Sequence, residues 1–201
     1  MTSLAVQLDN PGHTSFLYTG LQTLTAELPV VIVPGLNNSD SLHWQSLWQD
    51  QLPDSRRIYV QDWAKADLEK WRQGIIKSLR GLPAPALLIG HSFGALAAAS
   101  IAKDFPELIA GVLLVAPADP DKFRIAAPLP QDLLPVPGVV IASDNDPWMK
   151  DSKAAFWSLV WGTDFLRLKG LGHINSQSDI GYWPEGIAQL KKLVRRIKRK
   201  R

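Results

Sequence analysis

Short apolar runs alternate with helical patterns along most of this 201-residue chain, and this alternation constrains the fold more than any other feature. Most of the runs are rich in Val, Ile and Leu and lack polar alternation, which is typical of strands buried on both faces. They cover residues 29–33, 57–60, 86–90, 111–116, 138–142 and 165–168. Helical patterns cover residues 42–52, 66–79, 95–103, 152–160 and 185–198. Repeated strand and helix predict an α/β protein with a mostly parallel sheet of about six strands and helices on both faces.

The length and the absence of a linker predict a single domain over residues 1–201. Residues 1–28 give only a weak pattern and are interpreted as an N-terminal extension. Residues 117–137 contain six prolines, which favours an irregular excursion. This excursion is too short to form a helical lid, so we expect no large cap domain and a shallow pocket.

Cysteine is absent, which excludes disulfides, a thiolate nucleophile and Cys-ligated metal centres. No apolar run reaches the ~18 to 20 residues of a membrane span. The first 15 residues lack the basic and apolar segments of a signal peptide. With 46% hydrophobic and 20% charged residues, the composition is typical of a globular protein, and we expect a cytoplasmic location.

The net charge of +3 is unevenly distributed along the chain. Residues 191–201 carry eight Lys and Arg and no acid, so the first 190 residues hold 14 basic against 19 acidic side chains, a net charge of −5. Cations suit a helix C-terminus, where the helix dipole is negative. We therefore interpret this basic tail as the solvated end of a terminal helix. Contact with anionic surfaces is the alternative, and no specific nucleic-acid partner is expected.

The sequence Gly90-His91-Ser92-Phe93-Gly94 lies where an apolar strand meets a helical pattern. A GxSxG sequence alone is weak evidence, but at a strand-to-helix junction it is typical of a nucleophile elbow, which exposes a serine on a strained turn. The two glycines allow the close backbone approach that such a turn requires. We predict Ser92 as the nucleophile, although a plain Gly-Ser turn with a helix-capping serine would give the same letters.

A serine nucleophile needs a general base, and the chain has four histidines. His13 lies in the weakly patterned N-terminus, and His91 is adjacent to the nucleophile and is expected to point away from it. His43 begins a helical pattern, where packing is the simpler role. His173 follows the last predicted strand on a Gly-flanked loop, where open α/β sheets place active residues, so it is the predicted base.

A serine nucleophile and its histidine base are usually completed by an acid to form a catalytic triad, and in α/β sheets of this kind the acid lies between the serine and the histidine in sequence. The strand over residues 138–142 is followed by Asp144 and Asp146. Asp146 precedes a proline that stiffens the turn and keeps it out of the following helix, so we prefer it as the partner of His173. Asp144 is then a turn or cap residue, and the alternative assignment stays open.

Attack of a serine on a carbonyl group gives a tetrahedral intermediate with a negatively charged oxygen, and two backbone amides are expected to bind this oxyanion. The amide of Phe93 lies at a helix N-terminus, directly after the nucleophile. The loop after the first strand should supply the second donor, and the amide of Leu36 is the candidate, with Asn37 next.

At these residues the sequence resembles the small serine hydrolases of the α/β-hydrolase superfamily typified by retinoblastoma-binding protein 9 and bacterial YdeN. The likeness lies between residues 30 and 175 and rests on VVIVPG, on Ser39 with His43-Trp44-Gln45 and Trp48, and on VQDW, GHSFGALAA, SDNDPW and GLGHIN. The resemblance implies an α/β-hydrolase fold, a triad of Ser92, Asp146 and His173, and hydrolysis of esters or amides of small substrates. The pocket-protein contact of the mammalian relative is not implied, because its motif requires a cysteine.

The sequence therefore predicts a serine hydrolase that needs no cofactor and no metal. Acyltransferase, thioesterase or peptidase chemistry would use the same residues. A binding protein that keeps the fold without relevant turnover is the alternative in another class. Four tryptophans are candidates to line the pocket: Trp44, Trp63, Trp148 and Trp183. The oligomeric state is left open.

Overall fold

The computed structural model of the protein describes residues 28–52 and 54–200, together with residues 22 and 25. Its strands are β1 (Val30–Val33), β2 (Arg56–Arg57), β3 (Ala86–His91), β4 (Ile109–Val115), β5 (Gly138–Ser143) and β6 (Asp164–Leu168). All pairings are parallel, in the order β2-β1-β3-β4-β5-β6. The chain leaves β1 toward one side for β2 and returns to its other side for β3. The carboxyl ends of β1 and β3 therefore flank the point where the strand order reverses, which is where such sheets bind ligands.

The helices are α1 (Trp44–Asp50), α2 (Leu68–Leu79), α3 (Phe93–Asp104), α4 (Asp151–Trp161) and α5 (Pro184–Lys200). Short 3-10 turns cover Pro106–Leu108 and Ser176–Ser178. Successive residues of the central strands point to opposite faces, so Val31 and Leu88 belong to one buried cluster while Ile32 and Ile89 belong to the other. Helices α2, α3 and α4 pack on the first face, and α1 and α5 pack on the second. The predicted α/β architecture, with helices on both faces, is confirmed.

Among the element boundaries that differ from the sequence patterns, two have clear local reasons. The second strand pairs only through Arg56 and Arg57, and Tyr59 is 70% exposed, because this edge strand has β1 as its single neighbour. Helix α1 begins only after His43, whose Nδ1 caps it by accepting a hydrogen bond from the amide of Gln45.

The basic tail is not a separate appendage. Residues 191–200 form the second half of α5, and three of their side chains, Leu193, Val194 and Ile197, are buried against the sheet together with Ile187 and Leu190. Four basic side chains between these apolar positions are exposed, namely Lys192, Arg195, Lys198 and Arg199, whereas the half-buried Arg196 donates to the carbonyl oxygen of Gly138 at 2.9 Å. The prediction of a solvated helix end therefore describes one face of α5 only.

Residues 116–137 connect β4 and β5 through turns without a helix, and the described residues form no large cap over the sheet. Among the described residues, no helix combines the length and the apolar character needed to cross a bilayer. The prediction for residues 1–28 falls outside the described residues, apart from residues 22, 25 and 28.

Candidate active site

Ser92 lies on a strained turn between β3 and α3. Its backbone angles are φ 54° and ψ −122°, a combination that residues other than glycine rarely adopt. The amide of Ser92 donates to the carbonyl oxygen of Val115 at 3.0 Å, which anchors the turn to β4. A Cβ atom on Gly94 would overlap the carbonyl oxygens of Val33 and Pro34, so only glycine permits this close packing of α3 on the end of β1.

The three predicted side chains form one hydrogen-bonded chain. His173 Nε2 lies 2.8 Å from the hydroxyl oxygen of Ser92, and His173 Nδ1 lies 2.8 Å from Asp146 Oδ2. The Asp146 side chain is 2% exposed and the His173 side chain 10% exposed. Because the carboxylate can only accept, Nδ1 carries the ring proton and Nε2 is free to accept the proton of the serine hydroxyl.

The structure distinguishes the two acids that follow β5. Asp146 reaches His173, and its second oxygen accepts a hydrogen bond from the amide of Trp148 at 2.8 Å. Asp144 instead accepts from the amide of Gly170 at 2.9 Å. The geometry therefore pairs Asp146 with the imidazole and places Asp144 in the support of a loop.

Three consecutive side chains at the end of β5 hold the loop that carries His173. Besides Asp144, the hydroxyl of Ser143 accepts from the amide of Leu171 at 2.9 Å, and Asn145 Oδ1 accepts from the amide of Gly172 at 2.7 Å. Sequence reasoning missed Ser143 and Asn145 as supports of the site. Their only signal was a run of small polar residues directly after a buried strand.

The loop after β1 approaches the serine as expected. A Cβ atom on Gly35 would lie 2.7 Å from the Cβ of Ser92, so the backbone beside Leu36 passes directly over the turn. The amide of Phe93 is the first in α3 and has no partner within the helix. The two predicted amide donors therefore belong to segments that meet at the side chain of Ser92.

The other two described histidines lie next to this chain but are buried. His91 is 5% exposed and His43 is 3% exposed, and the centroids of their rings are 4.7 Å apart. Burial lowers the pKa of His43 to about 4 and that of His91 well below its usual value, so both rings are neutral near pH 7. His13 lies outside the described residues.

The four tryptophans considered for the pocket have different environments. Trp44 and Trp183 are 1% exposed and belong to the core, so they do not line a pocket. Trp63 is partly buried and packs edge-on against Trp71. Trp148 is 58% exposed, and the centroid of its ring lies 6.4 Å from that of His173. Trp148 alone of these four is thus an exposed aromatic beside the imidazole.

A parallel sheet with a serine at a strand-to-helix turn, and a histidine and an aspartate bonded to it in series, defines an α/β-hydrolase fold. The profile of the serine hydrolase family matches residues 30–192. The chain therefore belongs to the serine hydrolase family, among its small YdeN-like members. Within the described part of the chain, no group of three or more His, Cys, Asp or Glu side chains is arranged to hold a metal ion.

Solved structures agree with this placement. A protein described as a YdeN-like hydrolase from Pectobacterium atrosepticum is 38% identical, with 90% of this chain and 98% of that chain covered and a TM-score of 0.85. The ydeN gene product of B. subtilis shares 18% identity over 83% of this chain and 98% of its own, with a TM-score of 0.66. The mouse alpha/beta hydrolase domain-containing protein 10 shares the fold at 13% identity over 86% of this chain and 90% of its own, with a TM-score of 0.65. No curated protein sequence matches the chain.

Proposed function

We propose that this serine hydrolase cleaves esters or amides of small substrates through an acyl-enzyme on Ser92, without a cofactor. The observation that carries the proposal is the unbroken series of 2.8 Å contacts from Ser92 through His173 to Asp146. A hydroxyl is a weak nucleophile at neutral pH, and a base that is itself held by a buried carboxylate activates it.

In the proposed reaction, Ser92 attacks the carbonyl carbon while His173 Nε2 takes the hydroxyl proton. The amides of Phe93 and Leu36 donate to the oxyanion that develops. His173 then returns the proton to the leaving alcohol or amine, and an acyl-serine is left. A water molecule, deprotonated by the same imidazole, hydrolyses this ester and restores Ser92. Asp146 keeps the imidazole in the required tautomer and stabilises its charged form.

The surroundings of the site favour small, accessible substrates. Residues 116–137 form no helical lid, so nothing in this segment builds a deep channel for a long acyl chain. Trp148 lies beside His173, which donates its proton to the leaving group, so the indole is placed to contact that part of the substrate. Lys122 donates to the carbonyl oxygen of Trp148 at 2.7 Å, and its ammonium lies 5.6 Å from the centroid of the indole.

The test is labelling with a fluorophosphonate, followed by hydrolysis of a panel of esters graded by acyl length. We expect the natural chain to be labelled and to prefer short acyl groups, and we expect Ser92→Ala to lose both labelling and turnover while keeping its fold. Labelling that persists in Ser92→Ala would place the nucleophile elsewhere. A folded natural chain that is neither labelled nor active would instead support a binding protein that retains the hydrolase fold.

A further inference from the structure

Two buried side chains hold consecutive carbonyl groups in the loop that carries His173. His91 Nε2 lies 2.9 Å from the carbonyl oxygen of His173 itself, and Trp44 Nε1 donates to the carbonyl oxygen of Ile174 at 2.9 Å. A carbonyl oxygen only accepts, so Nε2 of the neutral His91 ring carries the proton and is the donor. Both donors come from outside the loop, one from the end of β3 and one from α1.

These two bonds surround a strained residue. Ile174 has a φ of 48°, which is unfavourable for a β-branched side chain. Such a conformation persists only where the surrounding structure enforces it. The carbonyls of His173 and Ile174 belong to the two peptide planes on either side of the Ile174 Cα, so the two donors together fix the orientation of both planes.

We propose that Trp44 and His91 are positioning residues, which hold the backbone at His173 and Ile174 so that the imidazole stays within hydrogen-bond distance of Ser92. This inference rests on the proposed function. Neither side chain hydrogen-bonds to the reacting atoms, although the ring of His91 also packs against the imidazole of His173, with the ring centroids 4.9 Å apart. Their hydrogen bonds act through the backbone of the base, and a small displacement of a catalytic group lowers the rate of the chemical step strongly.

Helix α1 is built to connect this loop with the strand that carries the nucleophile. Gln45, next to Trp44, donates through Nε2 to the carbonyl oxygen of Ile89 in β3 at 2.9 Å, and its Oε1 accepts from the hydroxyl of Ser39 at 2.7 Å. The ring of His43 packs edge-on against the ring of His91 and limits its rotation. Helix α1 thus contacts both the loop that carries His173 and strand β3, which precedes Ser92. The separation of these two segments sets the distance between Ser92 and the base.

Trp48 offers a matched control for Trp44. It lies on the same helix and is equally buried, at 0% against 1% exposure, and its Nε1 donates to the carbonyl oxygen of Tyr182 at 2.7 Å. Trp44→Phe and Trp48→Phe each remove one N–H donor and part of a ring from the same core. A purely structural role therefore predicts similar effects of the two changes on stability and on activity.

The experiment measures kcat and KM for one short-chain ester, at a temperature where all variants are folded, alongside the natural chain and Ser92→Ala. We expect Trp44→Phe to lower kcat about tenfold with KM changed less than twofold, since the base is misplaced but the binding surface is kept. Trp48→Phe should keep kcat within twofold of the natural chain. Equal losses of kcat in the two variants, or an undiminished kcat in Trp44→Phe, would overturn the proposal.

A second pair tests the other donor and does not depend on Trp44→Phe folding. His91→Leu removes the N–H donor, whereas His91→Gln can place an amide donor near the position of Nε2. The proposal requires a lower kcat in His91→Leu and a recovery in His91→Gln. It is wrong if both retain full kcat or both lose it equally. The proposed function is judged separately by Ser92→Ala, because turnover that survives in that variant rejects the nucleophile whatever these pairs show.

Discussion

The chain reverses direction at both ends of the parallel strands, but different residues make the turns. We call the side formed by the carboxyl ends of the strands the carboxyl edge and the side formed by their amino ends the amino edge. At the carboxyl edge, positive φ values fall on Gly170 and Gly172 and also on residues with side chains, among them Asn37 after β1, Ser92 after β3 and Ile174 after β6. At the amino edge, Gly81 before β3 and Gly162 before β6 take the positive φ values. Glycine adopts such angles without steric cost, whereas each residue with a side chain costs of order 1–3 kcal/mol.

The difference indicates that the carboxyl edge gives up stability where side chains are needed for chemistry, and the amino edge does not. Buried polar groups occur at both edges, since the hydroxyl of Ser158 donates to the carbonyl oxygen of Thr163 at 3.1 Å just before β6. Gln45, His91 and Ser143 each bond to backbone at the carboxyl edge. At the amino edge, Ile197 of α5 lies so close to Gly111 that a Cβ there would be 2.7 Å from its Cδ1. We therefore expect activity to be lost by changes at one edge and stability by changes at the other.

The largest expected effect is at the carboxyl edge. Asp146→Asn should lower turnover by about 10³ to 10⁴ fold, because the amide cannot hold the imidazole in the tautomer that accepts the serine proton. Asp144→Asn is the matched control, since it changes the same group two residues away, where it accepts only from the amide of Gly170. Steady-state kinetics on one ester would compare them. The reverse ranking would move the catalytic acid to Asp144.

A change at the amino edge should have the opposite profile. Ile197→Ala should lower the free energy of unfolding by about 2 to 4 kcal/mol, since it removes a fully packed side chain between α5 and the start of β4. The control Lys192→Ala, on the exposed face of the same helix, should change it by less than about 0.5 kcal/mol. Urea unfolding measures both. Turnover per folded molecule should stay at the level of the natural chain, and a large loss in folded Ile197→Ala would contradict the separation of the two edges.

Acid should destabilise the protein through the carboxyl edge, where the neutral His43 is buried. Burial lowers its pKa to about 4, while the charges of Asp40 and Arg57 act on it in opposite directions. The unfolded chain binds a proton below about pH 6.5 and the folded chain does not, so stability is fully present above that pH and is lost as the pH falls toward 4. The loss at pH 5 relative to pH 7.5 should be about 2 kcal/mol for this group.

His43→Asn tests this assignment, because Asn keeps an oxygen that can cap α1 but does not titrate. Urea unfolding at both pH values should show a pH dependence about 2 kcal/mol smaller in the variant than in the natural chain. An unchanged dependence would assign the acid sensitivity to other groups. The buried His91, whose pKa is also lowered, is the first of these.

Substitutions at Ser92 and at Gly81 test the backbone strain at the two edges, and we expect them to change stability less than the changes above. Ser92→Gly and Ser92→Ala should both be inactive, but the glycine variant should be more stable by about 1 kcal/mol, because it accepts the φ of 54°. Gly81→Ala should lose about 1 kcal/mol through its φ of 70° alone, since no atom lies within 4 Å of the added methyl group. Equal stability of the two Ser92 variants would mean that the turn stores no strain.

The parts of this site that the sequence predicted were those with local signatures. Ser92 was predicted from two glycines at a strand-to-helix junction, and His173 and the aspartate from their positions after buried strands. The contact of Trp44 with Ile174 spans 130 residues, and no periodicity or spacing marks it. The outward basic face of α5 was recognised, but its buried face was underestimated because eight charges in 11 residues obscured the spacing of Leu193, Val194 and Ile197.

The smallest expected effect on turnover comes from changes on the basic face of α5. These changes test whether the charges of that helix influence the active site at the carboxyl edge. Deleting residues 191–201 would confound charge with packing, because it removes three buried side chains. Replacing the exposed Lys192, Arg195 and Arg199 by Gln changes charge alone and lowers the net charge from +3 to 0. The triple variant should elute from a cation exchanger at lower salt, bind anionic vesicles less than the natural chain if that chain binds them, and unfold at nearly the same urea concentration.

Turnover of a neutral ester by this variant should stay within twofold of the natural chain, for a geometric reason. Ile197 lies at Gly111, which pairs with Leu87, and Ser92 lies five residues further along β3, about 16 Å at the rise of a strand. Arg195 and Arg199 lie within two residues of Ile197, so their separation from the serine exceeds the Debye length of about 8 Å at physiological ionic strength. Lys192 lies about 8 Å nearer along the helix but is exposed on the face turned away from the sheet, so the field of the three charges at the serine is largely screened. Kinetics at low and at physiological salt would measure it. A large loss of turnover at physiological salt, in a variant that unfolds like the natural chain, would show that the basic face takes part in capturing substrate and that the two edges are not independent.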